Sequence, residues 1–434
     1  MLLASGCASY GVIVNDTMPT PIPEQEYSVR SHHGGKSGDI SLTLTFSGGG
    51  SRAAALAYGV MQELRDTQVM VEGRNTRLLD EVDTISSVSG GSFTSAYYGL
   101  HGDGMFETFE DVFLRKDVEG KLVKQVLNPF HWFGRKGRTQ RAIEYYQKEI
   151  FHDAIYADML KPGRPLIIIN TSDLAYGVRF SFIQEYFDLL CSDLLTYPVA
   201  NAVTASSAVP VVFNPVVVEN YSDCSGIDTT WLGKMRERAE TTRDIELTSL
   251  AVDLESYSDK SQRKYIHFVD GGITDNMGLR ATYDVVTASG GPEVFLNKTN
   301  LQLPDKMIVI SIDASTEPVL DMDVSNKEPS IMHSIDAVTG VQLHRYNIAT
   351  LELVESAYFE WAEKLSTPEK TVHPYFIELS FEELKQPEVR AYFNKVPTSF
   401  NLSNEQVDKL IAAGRQLLRE HPDFQRLLAD LNKP

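Results

Sequence analysis

The seven residues Ser86-Ser87-Val88-Ser89-Gly90-Gly91-Ser92 form a run of small side chains between two different periodic patterns. Residues 82–85 indicate a short strand, and residues 93–98 can continue as a helix. A strand, a tight turn of small residues and a helix are the setting of a nucleophile elbow, in which Ser89 points out of the end of the sheet. In the usual motif, Gly-x-Ser-x-Gly, Ser87 replaces the first glycine and Gly91 is the last. An ordinary loop rich in serine and glycine is the alternative interpretation.

A second run of small residues, Ser47-Gly48-Gly49-Gly50-Ser51-Arg52, also lies between a strand pattern and a helix pattern. Residues 42–46 alternate in polarity as a strand does, and residues 53–64 carry apolar side chains at spacings of three and four. Glycines at the start of a helix expose backbone N–H groups that can bind an anion. This segment therefore predicts an anion-binding loop.

A carboxylate follows a third strand pattern. Residues 265–269 run into Asp270-Gly271-Gly272, and Asp275-Asn276 follow shortly afterwards. Strands that alternate with helices form parallel sheets, and active sites in such sheets lie at the carboxyl ends of the strands. We therefore expect the glycine loop, Ser89 and Asp270 to meet at one edge of a mainly parallel sheet.

These three segments resemble, in order and spacing, the motifs of the patatin-like phospholipase family. Gly48-Gly49-Gly50-Ser51-Arg52 resembles its Gly-Gly-Gly-x-Arg motif, Ser87-Val88-Ser89-Gly90-Gly91 its elbow apart from Ser87, and Asp270-Gly271-Gly272 its Asp-Gly-Gly/Ala motif. Two blocks between them, Asn170-Thr171-Ser172-Asp173-Leu174 and Ala205-Ser206-Ser207-Ala208-Val209-Pro210-Val211-Val212-Phe213, resemble further family segments. The resemblance covers residues 40 to about 290 and implies a three-layer α/β/α fold with a mainly parallel central sheet.

The resemblance also implies a catalytic dyad, in which Ser89 is the nucleophile and Asp270 removes its proton without a histidine. Such a pair needs hydrogen-bonding reach, ~2.6–3.2 Å or somewhat more without substrate. His267 is close to Asp270 in the sequence, but residues three apart on a strand face opposite ways, so we expect His267 to point away. No cofactor is implied, and no His/Cys cluster in the sequence has zinc-site spacing.

The glycine loop is the expected oxyanion hole, formed by Gly48, Gly49, Gly50 and Arg52. The N–H groups of Gly49 and Gly50 can receive the oxyanion that forms when an ester carbonyl is attacked, and the loss of one such donor typically costs ~10²–10³ in rate. Arg52 either adds positive potential or orients the loop; helix capping or an ion pair is the alternative role.

Composition limits the possible partners. The chain has 434 residues and a net charge of −19. Nucleic-acid binding needs a basic surface, so this charge argues against a nucleic-acid partner, and it argues equally against general attraction to anionic lipid. No run approaches the ~20 apolar residues of a membrane span.

The first residues predict a lipid anchor. Met1-Leu2-Leu3-Ala4-Ser5-Gly6-Cys7 resembles the end of a bacterial lipoprotein signal, so we expect Cys7 to be lipidated and the protein to lie in the bacterial cell envelope, facing the periplasm or the exterior. A chance cysteine in an N-terminal remnant is the alternative. Residues 1–38 contain alternating prolines and predict a flexible tether. Cys191 and Cys224 could pair in an oxidising compartment or remain two buried thiols.

Residues 39–434 predict a single catalytic domain. The region near 104–160 departs from strand–helix alternation and combines aromatic residues with a basic run. It is either a surface that meets a membrane interface or a helical insertion that buries its aromatic rings. Its aromatic residues include Phe106, Phe109, Phe113, Phe130, Trp132 and Phe133. A capping box at Ser403 and Gln406 begins a C-terminal helix, and we expect the C-terminal elements to cover the sheet.

The sequence therefore predicts a serine lipid acyl hydrolase of the phospholipase A or lysophospholipase type, with a lipid or phospholipid as substrate. A non-catalytic lipid-binding or envelope assembly protein that retains the fold is the alternative. The presence of Ser89, Asp270 and the glycine loop favours the enzyme. No feature of the sequence indicates the oligomeric state.

Overall fold

The computed structural model describes residues 10–20, 25–30, 38–118, 120, 137–210, 212–317, 326, 328 and 330–433. Cys7 and the aromatic residues Phe130, Trp132 and Phe133 lie outside the described residues. Their expected lipidation and contact with a membrane interface therefore stay predictions.

One large sheet of eight strands forms the centre of the molecule. Two further pairs of short strands lie outside this sheet. The strands among the described residues are β1 (Asp16–Thr17), β2 (Ile40–Phe46), β3 (Gln68–Val71), β4 (Arg74–Arg77), β5 (Val82–Val88), β6 (Leu166–Asp173), β7 (Arg179–Ser181), β8 (Ser192–Asp193), β9 (Val216–Glu219), β10 (Tyr265–Asp270), β11 (Lys306–Ile312) and β12 (His373–Leu379).

The central sheet has the strand order β12-β11-β2-β5-β6-β10-β9, and β7 pairs with β6. The five strands from β12 to β6 are parallel, whereas β10 is antiparallel to both of its neighbours. The prediction of a mainly parallel sheet is confirmed. Asp270 ends β10, which enters this mainly parallel sheet from the opposite direction.

The alternation of β2 explains why the two faces of the sheet differ. Successive side chains of a strand point to opposite faces. Ile40, Leu42, Leu44 and Phe46 therefore share one face and belong to the larger of two apolar clusters. The other face of β2 carries only small polar side chains, among them Thr43 and Thr45, which face residues of the smaller cluster such as Val354 and Trp361.

Helices and short turns make up most of the remaining described chain. The α-helices are α1 (Gly50–Asp66), α2 (Gly90–His101), α3 (Met105–Phe109), α4 (Arg138–Glu149), α5 (Gln184–Leu189), α6 (Val199–Ser206), α7 (Thr230–Thr242), α8 (Ile245–Glu255), α9 (Gly272–Asp275), α10 (Arg280–Ser289), α11 (Pro292–Thr299), α12 (Ile331–Leu365), α13 (Pro387–Phe393), α14 (Asn404–Glu420) and α15 (Pro422–Leu431). Short 3-10 turns lie at Leu78–Glu81, Gly102–Gly104, Tyr156–Met159, Ser256–Ser258 and Phe381–Glu383, and a π-helical turn covers Glu110–Leu114. None of the helices in the described part of the chain has the length and apolar character needed to cross a membrane.

Helices cover both faces of the sheet, so the predicted three-layer α/β/α fold is confirmed. On one side α1, α2 and α14 contribute to the larger cluster, and on the other side α10 and α12 enclose the smaller one. The helices α1 and α14 approach so closely that a Cβ atom on Gly59 would lie 2.2 Å from the carbonyl oxygen of Ile411. The capping box at Ser403 and Gln406 begins α14, as predicted.

Residues 219–263 are more ordered than their polar sequence indicates. The segment contains the helices α7 and α8, which lie against each other. Each helix has only three buried apolar positions among charged residues, so its periodicity is faint. These positions are Leu232, Met235 and Ala239 in α7 and Leu247, Ala251 and Leu254 in α8.

Cys191 and Cys224 form a disulfide in this structure. Their Cα atoms are 4.9 Å apart, inside the usual range of ~4.4–6.8 Å for a disulfide. Of the two alternatives that the sequence leaves open, the structure therefore has the bonded pair.

Candidate active site

Ser89 occupies a sharp turn between β5 and α2. Its backbone has φ of 49° and ψ of −119°, a conformation that typically costs a non-glycine residue ~1–3 kcal/mol. The two following glycines allow the turn, because a Cβ atom on Gly90 would lie 2.0 Å from the carbonyl oxygen of Gly50 and one on Gly91 would lie 2.7 Å from Cβ of Phe46. The predicted order of strand, tight turn and helix is therefore present, with Ser89 at its apex.

Ser87 takes the place of the first glycine in the elbow motif without leaving a buried hydroxyl unpaired. Its Oγ lies 2.6 Å from Oγ of Ser95 on α2 and donates to the carbonyl oxygen of Ile168, 3.3 Å away. Buried polar groups need such partners. The serine is accommodated because the adjoining helix and strand supply these partners.

Asp270 approaches Ser89 from the far side of β6. Val88 pairs with Asn170 on β6, and Asp270 pairs with the next residue, Thr171. Ser89 follows Val88 directly and is therefore level with Asp270 across one intervening strand. β6 continues beyond the end of β5, and this extension pairs with the antiparallel strand β10.

The carboxyl group of Asp270 is buried and hydrogen-bonded. Its Oδ1 accepts a hydrogen bond of 2.8 Å from the backbone N–H of Gly272. Burial raises the pKa of Asp270 to about 6, while the Gly272 N–H and a hydrogen bond from the Ser89 side chain hold the pKa lower than burial alone would. A carboxylate with this pKa is a better proton acceptor than an exposed aspartate and is still ionised at neutral pH.

Hydrogen bonds at the end of α6 fix the positions of Ser89 and Asp270 relative to each other. The Oγ atom of Ser206 accepts a hydrogen bond of 2.8 Å from the backbone N–H of Ser89. The backbone carbonyls of Ser206 and Ala208 accept from the N–H groups of Gly271 and Asp270, both at 3.0 Å. In the sequence this block is recognisable only through the family resemblance, and no local pattern points to a role for Ser206.

The glycine loop lies directly against Ser89. A Cβ atom on Gly48 would lie 3.4 Å from Cβ of Ser89. The N–H of Gly48 already donates to the carbonyl oxygen of Asn276 at 2.9 Å, so Gly48 anchors the loop. The N–H groups of Gly49 and Gly50 have no protein acceptor within the described residues. Two of the three glycines therefore have backbone donors available for an oxyanion, the same two that the sequence analysis singled out.

Positive φ angles require glycine in this loop. Gly49 has φ of 137° and Gly50 has φ of 61°. A Cβ atom on Gly50 would also lie 2.7 Å from the carbonyl oxygen of Ser399. A side chain at Gly50 would therefore displace either the loop or the C-terminal segment that contacts it.

Arg52 holds the glycine loop in place from behind. All three of its guanidinium nitrogens donate hydrogen bonds: Nε to the carbonyl oxygen of Ala314 at 2.8 Å, Nη1 to that of Val396 at 2.5 Å, and Nη2 to Oγ1 of Thr398 at 3.1 Å. Burial lowers the pKa of Arg52 to about 10, and the charge of Asp313 opposes that shift. Among the roles considered from the sequence, this geometry favours orientation of the loop.

A buried polar network supports the elbow from the side of β6. The Nδ2 atom of Asn170 donates to Oγ of Ser86 at 2.9 Å and to the carbonyl oxygen of Ser87 at 3.2 Å. Its Oδ1 atom accepts from Arg179 at 3.2 Å, and Arg179 is paired with Asp284 at 2.8 Å. These hydrogen bonds restrict the last residues of β5, just before Ser89.

The other polar residues considered from the sequence lie away from the reaction. His267 is exposed on the face of β10 opposite to Asp270, as expected. Asp173 accepts a hydrogen bond of 3.0 Å from the N–H of Ala175 and is paired with Arg263, so its role is structural. No cluster of three or more potential metal ligands occurs in the described ranges.

Comparison with known proteins identifies one family. A family model described as patatin-like phospholipase matches residues 44–283. Among solved structures, human GIVD cytosolic phospholipase A2 is similar, with 12% identity, 90% of this chain and 62% of that chain covered, and a TM-score of 0.45. The same human protein in complex with methyl gamma-linolenyl fluorophosphonate gives 13% identity, 91% and 59% coverage, and a TM-score of 0.42. This chain thus spans less than two thirds of the length of these solved structures. No curated protein sequence matches it.

Proposed function

The chain belongs to the patatin-like phospholipase family, and from this membership and the geometry around Ser89 we propose that it is a serine lipid acyl hydrolase of the phospholipase A or lysophospholipase type. Family membership supports lipid ester hydrolysis as the class of activity. The observation that carries the finer proposal is the placement of Ser89 level with the buried Asp270 across one strand, beside two available backbone donors.

The first half of the reaction transfers the acyl group to the enzyme. Asp270 takes the proton of the Ser89 hydroxyl while Oγ forms a bond to the ester carbon. The carbonyl oxygen becomes an oxyanion that the N–H groups of Gly49 and Gly50 stabilise. The bond to the alcohol part of the lipid then breaks, and Asp270 returns its proton to the departing oxygen.

The second half releases the fatty acid. Water loses a proton to Asp270 and attacks the acyl carbon on Ser89, and the same backbone donors stabilise the second oxyanion. Collapse of this intermediate frees the carboxylic acid and restores the serine hydroxyl. A single carboxylate serves both halves because it alternates between base and acid, and a pKa raised to about 6 suits both roles.

Exposed apolar side chains beside the dyad support a lipid substrate. Val209 follows Ala208, whose carbonyl oxygen accepts a hydrogen bond from the N–H of Asp270, and Ile273 follows Gly272. The side chains of Val209 and Ile273 are 42% and 46% exposed. Large apolar side chains exposed together are a feature of surfaces that bind ligands or membranes.

The test is hydrolysis of a chromogenic acyl ester and of a fluorescent phospholipid by the wild type and by two variants. We expect Ser89→Ala and Asp270→Asn each to lose most of the activity while remaining folded by circular dichroism. Ser261→Ala and Asp111→Asn, at exposed positions, are matched controls that should retain it. An alkyl fluorophosphonate should modify the wild type once, at Ser89.

Two results would reject the enzymatic proposal. Equal hydrolysis by folded Ser89→Ala would assign the chemistry to another group. Lipid binding without hydrolysis by the wild type would favour the non-catalytic lipid-binding alternative.

We also propose that Cys7 is lipidated and anchors the protein in the bacterial cell envelope. The small residues before Cys7 support this proposal. Mass spectrometry of the native protein should find a lipid-modified cysteine in the membrane fraction. Unmodified residues 1–7 in a cytosolic fraction would contradict it.

A further inference from the structure

The first described residues of the chain are bonded to β9, the strand at one end of the central sheet. The side chain of Asn15 pairs with the backbone of Glu219: its Nδ2 donates to the carbonyl oxygen and its Oδ1 accepts from the N–H, both at 2.9 Å. β1 pairs with β8, and the N–H of Met18 donates to the carbonyl oxygen of Cys191 at 3.0 Å. An edge strand has unpaired backbone groups, and Asn15 satisfies those of Glu219. The chain therefore enters the domain at a defined place.

Gly11 lies against the side of β9, only a few residues after Cys7. A Cβ atom on Gly11 would overlap Cγ2 of Val217, so the Gly11 backbone touches this side chain. Gly11 is four positions after Cys7. An extended chain covers at most ~3.6 Å per residue, so Cys7 can be no farther than about 14 Å from this contact. A lipid on Cys7 would therefore hold β9 close to the bilayer surface.

The face of the sheet beside Gly11 is exposed. Residues directly opposite each other on antiparallel strands point to the same side. Val217 is opposite His267 on β10, and Glu219 is opposite Tyr265. Both His267 and Tyr265 are exposed, whereas the alternate residues of the two strands belong to the larger apolar cluster. A tyrosine ring is thus presented to the outside next to the entering chain.

The loop after β6 adds further large side chains here. The N–H of Leu174 donates to the carbonyl oxygen of His267 at 2.9 Å, and the ring centre of Tyr176 is 4.2 Å from the guanidinium carbon of Arg263, just before β10. Leu174 and Tyr176 are each more than half exposed. We use the name outer patch for the exposed residues Tyr10, Leu174, Tyr176 and Tyr265.

The outer patch lies on the side of the sheet from which Ser89 is reached. Ser89 is level with Asp270, which pairs with Thr171 on β6, and Leu174 continues the pairing of this strand with β10. Leu174 is three residues after Thr171, so at ~3.3 Å per residue the patch begins about 10 Å beyond Ser89. A serine at the end of a strand is approached from beyond that end. Substrate therefore comes from the side on which the patch projects.

The chemistry of the outer patch suits an electrically neutral bilayer. Tyrosine rings are enriched at membrane interfaces, because one end of the ring is apolar and the other is polar. The Nζ atom of Lys264 is 5.3 Å from the ring centre of Tyr265, and Glu219 lies opposite this tyrosine, so charges of both signs border the patch. The net charge of −19 opposes attraction to anionic lipid. Apolar and aromatic contact would therefore supply the binding.

We propose that the outer patch rests on a zwitterionic bilayer when Cys7 is lipidated, so that Ser89 opens towards the surface that holds its substrate. The lipid keeps the chain at the membrane, and the patch determines which side of the domain faces it. This inference rests on the proposed modification of Cys7. The test therefore supplies the anchor chemically.

The test couples the full chain through Cys7 to a maleimide lipid in vesicles of a diether phosphatidylcholine, which has no ester to hydrolyse. Because Cys191 and Cys224 are bonded, Cys7 is the remaining thiol among the three cysteines. Hydroxyl-radical footprinting then compares side-chain oxidation with and without vesicles. Oxidation of Tyr10, Tyr176 and Tyr265 should fall at least about threefold on the vesicles.

Phe359 on α12 is the matched control. It is 45% exposed, against 44% for Tyr265, and it should be oxidised equally in both states. Unchanged oxidation of the outer patch on the vesicles would overturn the proposal, and so would equal protection of Phe359. Neither outcome depends on lipidation in the cell or on ester hydrolysis.

A second measurement relates the outer patch to hydrolysis. In the anchored protein, Tyr176→Ser combined with Tyr265→Ser should lower cleavage of vesicle phospholipid by about tenfold, through loss of buried apolar area at the interface. The same double variant should cleave a dissolved short-chain ester at the wild-type rate, and Phe359→Ser should be normal with both substrates. Wild-type cleavage of vesicle phospholipid by the double variant, or an equal loss with both substrates, would contradict the proposal.

Discussion

Replacement of Asp270 by asparagine should stabilise the protein while it removes the base. Burial raises the pKa of this carboxyl from 3.8 to about 6, so the folded state binds a proton more tightly than the unfolded state. The ionised form is therefore disfavoured by folding, and stability falls as pH rises through the interval between these two values. At ~1.4 kcal/mol per pKa unit, the wild type loses up to about 3 kcal/mol at pH 8. Asparagine has no such penalty and keeps an oxygen for the N–H of Gly272.

The assay is urea unfolding of the wild type and Asp270→Asn at several pH values from 4 to 8. We expect the difference in unfolding free energy to change by about 2 kcal/mol in favour of the variant over this range. Near pH 4 the wild-type carboxyl is protonated in the folded state and only about half ionised in the unfolded state, so most of the penalty develops above that pH. Asp111→Asn, at an exposed position, should show no comparable change. A pH-independent difference between the wild type and Asp270→Asn would mean that Asp270 does not bear the penalty inferred from its burial.

Three further outcomes follow from the same contacts. Ser206→Ala removes the acceptor for the Ser89 N–H and should lower kcat by ~10–100-fold with little change in KM. The control Ser207→Ala loses only hydrogen bonds to α6 and should be near normal in ester hydrolysis. Thr398→Val removes one of the hydrogen bonds of Arg52 and should lower kcat about threefold to tenfold without unfolding, as measured by the same assay with circular dichroism. For the free wild-type enzyme, kcat/KM should rise with pH through about 6, because the base must be ionised; a flat profile from pH 5 to 7 would contradict the assignment of Asp270.

The turn around Ser89 could be predicted because its determinants are close in sequence. A strand pattern, a run of small residues and a helix pattern fix the direction of the chain within a few positions. The end of β5 was harder to predict from the sequence. The pattern indicates a strand to Ile85, whereas the strand continues to Val88. Ser86 and Ser87 are buried in this extension, and their hydroxyls bond to the carbonyl oxygens of Gly278 and Ile168. Partners so distant in sequence leave no local signal.

The approach of Asp270 could be predicted only in part. The motif residue and its burial at a strand end are as expected, but the antiparallel direction of β10 depends on pairing with the extension of β6. Local periodicity carries no information about the direction of a strand. The acceptors of Arg52 are two backbone carbonyls and a threonine hydroxyl, which have no motif of their own. The role of Ser206 is hidden for the same reason.

The hydrogen bonds between the glycine loop and the C-terminal segment have a consequence for incomplete chains. Arg52 is separated by 344 positions from Val396 and by 346 from Thr398, and the N–H of Ser51 is bonded to Ser399. A nascent chain that ends before these residues carries Ser89, Asp270 and all three glycines, yet lacks the partners that fix its oxyanion donors. We therefore expect a product that terminates before Val396 to hydrolyse esters more slowly than the full chain, because its glycine loop lacks these contacts.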